Sequence, residues 1–209
     1  MTSEAVEVDP AVRLGDDFAF RLTQQSDIAD HLQFMHDTVL KYREPVVIEM
    51  GVRTGNSTCA LLYATLKADG QMWSADINES QVPDYWHEFP SWHFLQGDSV
   101  SPAVLKWMPK RADVVFMDTS HTFEQQLAEL RRYVPRVKPG GIVLIHDTQC
   151  VPLDNFASDS FIAKTGPEGP VTDALDAFCE ESGLSWANRH SELPYYGMGV
   201  IEVPKRRRS

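Results

Sequence analysis

The sequence is poor in basic residues, and its one basic run is short. The sequence has 19 lysines and arginines and 30 aspartates and glutamates, which gives a formal net charge of -11. A nucleic-acid-binding domain needs a basic face to displace counterions from phosphates, so this balance argues against nucleic acid as a partner. The basic run, residues 205–208, lies at the C-terminus and is most simply a solvated tail.

Long apolar runs and paired cysteines are also missing. The most apolar stretches, residues 114–117 and 142–145, are far shorter than the ~20 residues of a membrane span. Residues 1–7 are acidic and lack the basic and apolar regions of a signal peptide. The three cysteines are an odd number without a CxxC pair, which favours reduced thiols. We therefore expect a cytoplasmic protein without a membrane partner.

Apolar strands alternate with helices over most of the chain. Two helices are predicted at the start, the clearer one over residues 26–40, where Ser26 or Asp27 can cap it. The predicted strands are 46–50, 71–75, 92–96, 113–117, 141–146, 184–189 and 197–203; the helices between and after them are 57–67, 100–108, 121–133 and 171–181. Continuous apolar strands in this rhythm indicate an α/β fold with a doubly wound, mostly parallel sheet.

A glycine loop follows the first predicted strand. Gly51 and Gly55 allow a sharp turn and a close approach of the backbone to a ligand. The helix that begins near Ser57 offers free amide groups. Asp76 ends the second strand about 20 residues later, where dinucleotide-binding folds carry the acidic residue that binds ribose. Asp98 follows the third strand, so these features share the sheet edge that binds ligands and predict an adenosine-containing cofactor.

The loop differs from the dinucleotide fingerprint, because it lacks the third glycine and places Glu49 before the first one. The segment Glu49-x-Gly51-x-x-x-Gly55 resembles the first motif of class I S-adenosylmethionine-dependent methyltransferases. Asp76 and Asp98 resemble the acidic residues that meet ribose and adenine in that family, and the turn 138–141 is also typical of it. The resemblance covers roughly residues 44–203.

This resemblance implies a seven-stranded Rossmann-like sheet with the last strand antiparallel, helices on both faces and S-adenosylmethionine as cofactor. It divides the chain into an N-terminal helical extension (1–43), the methyltransferase domain (44–204) and a basic tail (205–209). The expected cofactor-binding residues are Glu49, Gly51, Arg53, Gly55, Ser57, Asp76, Asp98 and Ser99. Arg53 reaches the methionine carboxylate in one interpretation and pairs with an acidic residue in the other.

Two further polar groups end the fourth and fifth strands. Asp118 and His121 follow the fourth strand, and His146 and Asp147 follow the fifth. Two carboxylates with a nearby histidine can hold a hard divalent cation, which orients a hydroxyl and lowers its pKa. The pattern resembles that of small-molecule O-methyltransferases and cephalosporin-hydroxylase-like proteins.

That resemblance implies Asp118 as a catalytic metal ligand, His121 as the general base, and Asp118, Asp147 and His146 as the ligands of a cation such as Mg²⁺. His146 departs from the pattern, which has an acidic residue there. An imidazole makes the site softer, so a softer metal or no metal is an open alternative. A supporting role behind the ligands is favoured for His146, and helix or loop capping is the structural alternative for the two aspartates.

The leading hypothesis is O-methylation of a small hydroxylated molecule, such as a sugar or a natural product. The alternatives are a nicotinamide-dependent oxidoreductase and a non-catalytic cofactor-binding domain. Residues 148–170 exceed usual loop lengths and suit a lid, with Phe156 and Phe161 as apolar contacts. His31 either covers the cofactor pocket or, as we favour, lies on the surface. Related enzymes often form homo-oligomers, although the residues do not fix an oligomeric state.

Overall fold

The computed structural model describes residues 8–148, 169–189 and 196–205. The segment 1–7, nearly all of the predicted lid with Phe156 and Phe161, and the arginines of the basic tail lie outside the described residues.

The fold is a seven-stranded sheet in the order β3-β2-β1-β4-β5-β7-β6. Its strands are β1 (Val46–Met50), β2 (Gln71–Asp76), β3 (Trp92–Gln96), β4 (Ala112–Met117), β5 (Val137–Ile145), β6 (Ala187–Arg189) and β7 (Met198–Glu202). Strands β1 to β5 pair in parallel, and β7 runs antiparallel between β5 and β6. The predicted doubly wound Rossmann-like sheet with an antiparallel last strand is confirmed.

Helices cover both faces of the sheet because its central strands are apolar on both sides. The helices are α1 (Pro10–Arg21), α2 (Ala29–Val39), α3 (Asn56–Lys67), α4 (Pro102–Trp107), α5 (Phe123–Tyr133) and α6 (Pro170–Ser182). Successive residues of β4 alternate between two cores: Val114 and Phe116 pack towards α1, α2 and α3, whereas Val115 and Met117 pack towards α5 and α6. No described helix is long and apolar enough to cross a membrane.

The two N-terminal helices share the core of the sheet. Leu14 and Phe18 of α1, and Leu32 and Met35 of α2, belong to the same apolar cluster as Leu61 of α3. Residues 10–39, which lie within the extension predicted over residues 1–43, therefore contribute to the main core.

The starts of α2 and α5 differ from the prediction in ways that affect the site. Helix α2 begins at Ala29 without a side-chain cap, because its N-cap residue is the apolar Ile28, and the Asp27 carboxylate pairs with Arg53. Helix α5 begins at Phe123, with Thr122 as its cap, so His121 precedes the helix that was predicted to include it. His121 has a left-handed backbone, with φ of 53°. Capping of α5 by Thr122 also excludes the predicted alternative that Asp118 caps this helix.

Candidate active site

The glycine loop requires glycine at both of its predicted positions. Gly51 has φ of +90°, and a Cβ atom there would lie 1.8 Å from the carbonyl oxygen of Asp118. Gly55 has φ of +79° and caps α3, where a Cβ atom would lie 2.8 Å from the Trp86 ring. The loop therefore lies directly against the end of β4, and only residues without a side chain fit.

Asp76 fixes the glycine loop from the end of β2. Its Oδ2 accepts hydrogen bonds from the backbone N–H groups of Val52 (2.8 Å) and Arg53 (3.0 Å). Its Oδ1 accepts one from Asn78 N–H at 2.8 Å. A carboxylate has about four acceptor positions, so these three backbone groups leave one for a ribose hydroxyl.

Glu49 lies beneath the loop and outside the cavity. Its carboxylate is fully buried and accepts hydrogen bonds from Ser57 (2.8 Å), Thr58 (2.9 Å) and Ser74 (2.8 Å). Burial raises its pKa to about 7, although the three hydroxyls oppose this rise. Glu49 thus joins β1, β2 and α3 under the loop, and Ser57, which lines the cavity, turns its hydroxyl towards Glu49.

The raised pKa of Glu49 predicts a loss of stability between pH 4.5 and 7. In the unfolded chain Glu49 ionises near its ordinary pKa of 4.5, whereas in the folded protein it keeps its proton to about pH 7. The free energy of unfolding therefore falls by up to about 3 kcal/mol as pH rises through this window. We expect Glu49→Gln to remove most of this fall, as measured by urea denaturation at pH 5, 6, 7 and 8.

The matched control is Glu88→Gln, which changes an exposed glutamate. It is expected to keep the pH dependence of the wild type. A Glu49→Gln variant with the same pH dependence as Glu88→Gln would contradict the assignment.

Asp98 and Ser99 follow β3 and are held by α5. Asp98 Oδ1 accepts a hydrogen bond from Val100 N–H at 3.0 Å. Ser99 donates its hydroxyl to Glu129, and its carbonyl oxygen accepts from the Tyr133 hydroxyl. Glu129 is fully buried, burial raises its pKa, and it also accepts a hydrogen bond from Thr119 at 3.0 Å. The sequence analysis missed Glu129, although its position four residues before Tyr133 places both on one helix face.

Asp118, His121 and Asp147 converge at the ends of β4 and β5. The Nε2 atom of His121 lies 2.9 Å from Asp118 Oδ1 and 2.9 Å from Asp147 Oδ2. Asp147 has a left-handed backbone (φ 61°), and its Oδ1 is buried without a hydrogen-bond partner among the described residues. The ligand atoms of these three residues lie within 4.8 Å of one another, so they are close enough to hold one metal ion.

His146 lies behind this group rather than in it. Its side chain is only 1% exposed, and its Nδ1 lies 3.5 Å from both Asp118 Oδ2 and Asp147 Oδ2. Its Nε2 lies 3.2 Å from the carbonyl oxygen of Asp27, to which it donates a hydrogen bond. The sequence analysis favoured such a supporting position for His146. The group that could hold a metal ion contains His121, whereas the predicted ligand set contained His146.

The two carboxylates and the two imidazoles balance each other's charge. Burial opposes ionisation of Asp118 and Asp147, but the histidines outweigh it and lower both pKa values below the ordinary range. Burial likewise opposes protonation of His121, but hydrogen bonds to Asp118 and Asp147 raise its pKa to about 10. The pKa of His146 is also raised, by the same two carboxylates. The pairing of the two carboxylates with the two imidazoles thus favours the charged form of each group.

Two residues lie where the first helices meet the loop. Arg53 pairs with Asp27 at 3.2 Å and its side chain is 79% exposed. Of the two interpretations of Arg53, the structure without cofactor has the pairing with an acidic residue. His31 is fully buried, and its Nε2 donates to the carbonyl oxygen of Tyr196 at 2.7 Å. The favoured surface position of His31 was therefore wrong, because a distant segment covers it.

One open cavity of about 450 Å³ joins these groups, within the usual size range of small-molecule sites. Its lining includes a residue at the end of each parallel strand: Gly51, Asp76, Asp98, Asp118 and Asp147. Arg53, Ser57, Ser99 and His121 also line it, as do Asp27 and Ile28 from the segment before α2. Gly55, Glu49 and His146 support the cavity from behind.

The sheet order and the cavity at the carboxyl ends of its parallel strands define a Rossmann-like methyltransferase fold. A family model described as a methyltransferase domain matches residues 48–148, from β1 to the end of β5. Residues 48–148 therefore match a methyltransferase domain, in agreement with the predicted class I S-adenosylmethionine-dependent methyltransferase. This match favours methyl transfer over the nicotinamide-dependent alternative.

Solved structures share this fold at low sequence identity. A Podospora anserina methyltransferase, PaMTH1, bound to S-adenosylhomocysteine, has a TM-score of 0.67 and 13% identity, over 97% of this chain and 91% of that chain. A putative O-methyltransferase from Klebsiella pneumoniae has a TM-score of 0.57 and 14% identity, over 95% and 92%. The mycinamycin-pathway methyltransferase MycE, in complex with Mg, S-adenosylhomocysteine and mycinamycin VI, has a TM-score of 0.58 and 16% identity, over 96% and 56%. No curated protein sequence matches this chain.

Proposed function

We propose that this methyltransferase transfers the methyl group to a hydroxyl oxygen of a small molecule. The observation that carries the proposal is the convergence of Asp118, His121 and Asp147 in the cavity that also contains the glycine loop and Asp76. Proton-accepting groups thus adjoin the cofactor site, as deprotonation of a hydroxyl requires. The O-methyltransferase neighbours support the same reaction class.

The cofactor would lie across the strand ends. Asp76 has an acceptor position for a ribose hydroxyl, and Asp98 stands one strand further out, where adenine is expected. The sulfonium would then face Asp118 and Asp147 at the ends of β4 and β5. Holding the methyl carbon in line with the acceptor oxygen supplies much of the rate in such a reaction.

The reaction balances with one proton released. The substrate oxygen forms a bond to the methyl carbon as the carbon–sulfur bond breaks, and its hydroxyl proton leaves to a base. His121 is the proposed base through Nε2. It accepts that proton only in its neutral form, which a cation bound to the two carboxylates would favour.

A divalent cation fits the donor set. The buried Asp147 Oδ1 lacks a partner among the described residues, and the Asp118 carboxylate lies beside it in the same group. We therefore propose that Asp118 and Asp147, with His121 adjacent, hold such an ion. When bound, it would supply Lewis acidity that orients a substrate hydroxyl and lowers its pKa. Carboxylate oxygens suit Mg²⁺ or Mn²⁺.

The test is transfer of a deuterated methyl group from labelled S-adenosylmethionine to a panel of sugars, phenols and hydroxylated natural products, followed by mass spectrometry. We expect product carrying the label on oxygen, loss of product after treatment with a chelator, and recovery with Mg²⁺ or Mn²⁺. Product that still forms in the presence of the chelator would contradict the proposed cation but not O-methylation. Label on carbon or nitrogen would contradict O-methylation. No transfer despite tight S-adenosylhomocysteine binding would favour the non-catalytic alternative.

A cytoplasmic location stays a prediction, as does a homo-oligomeric state. The proposed acceptor is a small molecule, and the acidic net charge of -11 favours an uncharged or cationic one over a polyanion.

A further inference from the structure

The second half of the glycine loop is bonded to a side chain from the first helix. Asp76 bonds to the first half of the loop, whereas Arg21, the last residue of α1, bonds to the second half. The Arg21 Nη2 donates a hydrogen bond to the carbonyl oxygen of Thr54 at 3.3 Å, and its Nη1 donates one to Asn56 Oδ1. One guanidinium therefore bridges the two residues that flank Gly55.

The same face of α1 also holds the ring that packs against Gly55. Asp17 lies one turn before Arg21, so both side chains lie on one side of the helix. The Asp17 carboxylate accepts hydrogen bonds from the Tyr85 hydroxyl and from the Trp86 indole N–H, the latter at 3.3 Å. Trp86 is fully buried, and the Arg21 guanidinium lies 5.3 Å from the centroid of its ring. The loop around Gly55 is thus held by two side chains of α1.

The chemistry of arginine suits this bridge. A guanidinium is always charged and carries its donors in a planar fork, so it can bond to two acceptors at once. Helix α3 begins after Gly55, which provides no side-chain cap. A cation near the start of a helix opposes the helix dipole, so stabilisation of α3 does not explain why Arg21 lies there. Thr54 and Asn56 both line the cavity, so the bridge determines where part of its wall lies.

We propose that Arg21 is a positioning residue, which holds Thr54 and Asn56 in the conformation that binds the cofactor. The inference rests on the proposed function only in that S-adenosylmethionine is the cofactor. Arg21 would act through the loop, because it is not among the described residues that line the cavity. It also precedes residue 48, where the match to the family model begins, so this support comes from the N-terminal helices.

The first measurement is the dissociation constant of S-adenosylhomocysteine by calorimetry. We expect Arg21→Leu to raise it by about tenfold, because a loop that is not held in place must be ordered on binding. Arg13→Leu is the matched control: Arg13 lies on the same face of α1, 4.1 Å from the Tyr85 ring centroid, and no described contact joins its side chain to the loop. It should change the constant by less than about twofold.

Arg21→Lys separates the bridge from the charge. Lysine keeps the positive charge, but its ammonium group lacks the planar fork that spans two acceptors. We expect Arg21→Lys to weaken binding by about threefold or more. Full recovery of affinity in Arg21→Lys would show that a positive charge alone is enough.

Hydrogen exchange of backbone amides in the cofactor-free protein separates a local effect from a general loss of packing. We expect Arg21→Leu to speed exchange in the loop, residues 51–56, by about tenfold while β4 exchanges as in the wild type. Arg13→Leu should leave the loop unchanged. Faster exchange in the loop and in β4 alike would mean that Arg21 is merely structural.

Asn56→Ala tests the same bridge from the side of the loop and leaves Arg21 in place, so it serves even if Arg21→Leu fails to fold. It should also speed exchange in the loop. With both variants folded, the double variant should raise the dissociation constant by at least about threefold less than the product of the two single effects, since both remove one interaction. Effects that simply multiply would contradict the bridge.

An Arg21→Leu dissociation constant within about twofold of the wild-type value would overturn the proposal, as would full recovery of affinity in Arg21→Lys. In either case normal binding of S-adenosylhomocysteine by the wild type would leave the methyltransferase assignment intact. Failure of the wild type to bind S-adenosylhomocysteine at all would instead count against the cofactor itself.

Discussion

Asp147→Asn is expected to slow methyl transfer by a factor on the order of 10² to 10⁴, with S-adenosylhomocysteine affinity changed by less than about threefold. Asparagine keeps the size of the side chain and tolerates the left-handed backbone at this position, where φ is 61°. The change removes one of the two negative charges that contact His121 Nε2 at 2.9 Å. The proposed cation loses a ligand as well. The reacting atoms are affected while the cofactor contacts at Asp76 and Asp98 are not.

The matched control is Asp69→Asn. Asp69 also has a left-handed backbone (φ 53°), but it is exposed in the turn after α3, outside the cavity lining. Rates are measured with an acceptor identified from the panel, and affinities by calorimetry. Equal rates for the two variants would remove Asp147 from the proposed mechanism.

Gly51→Ala is expected to destabilise the fold by about 3 kcal/mol or more and to abolish cofactor binding. The alanine methyl group would lie 1.8 Å from the Asp118 carbonyl oxygen and 2.8 Å from its carbonyl carbon. Both atoms are backbone at the end of a central strand, so they cannot move aside like a flexible side chain. Relief of the clash requires β1 and β4 to separate where the cofactor binds.

Gly183→Ala separates this clash from backbone strain. Gly183 has φ of +71°, and a Cβ atom there meets nothing within 4 Å. Gly183→Ala should lower the free energy of unfolding by about 1 to 2 kcal/mol, because alanine must adopt the left-handed conformation there. Urea denaturation measures both variants. Equal losses of stability in Gly51→Ala and Gly183→Ala would show that glycine is not required at position 51 by the close approach of the loop to β4.

The central part of the fold was predictable because its signals are local. Strands β1 and β4 are short apolar runs, and Gly51 and Gly55 follow β1 in sequence. Strand β5 was predicted too short, since residues 138–140 were assigned to a turn but belong to the strand. Family resemblance then placed Asp76, Asp98, Asp118 and Asp147 at strand ends, where all four line one cavity.

Features that depend on distant segments were missed. His31 is buried because Tyr196, far along the chain, accepts its hydrogen bond. Asp27 pairs with Arg53 instead of capping α2, and this requires the first helices to reach the glycine loop. Glu129 sits in an amphipathic helix where a charged residue suggests a solvated face. Only the approach of Ser99 and Thr119 shows that its carboxylate is buried and bonded.

The most direct test of the account is a crystal structure of the protein with S-adenosylhomocysteine. The account predicts adenine at Asp98, ribose at Asp76, and the sulfur on the side of Asp118, His121 and Asp147. A cofactor bound with its sulfur turned away from these three residues, or bound outside this cavity, would contradict it.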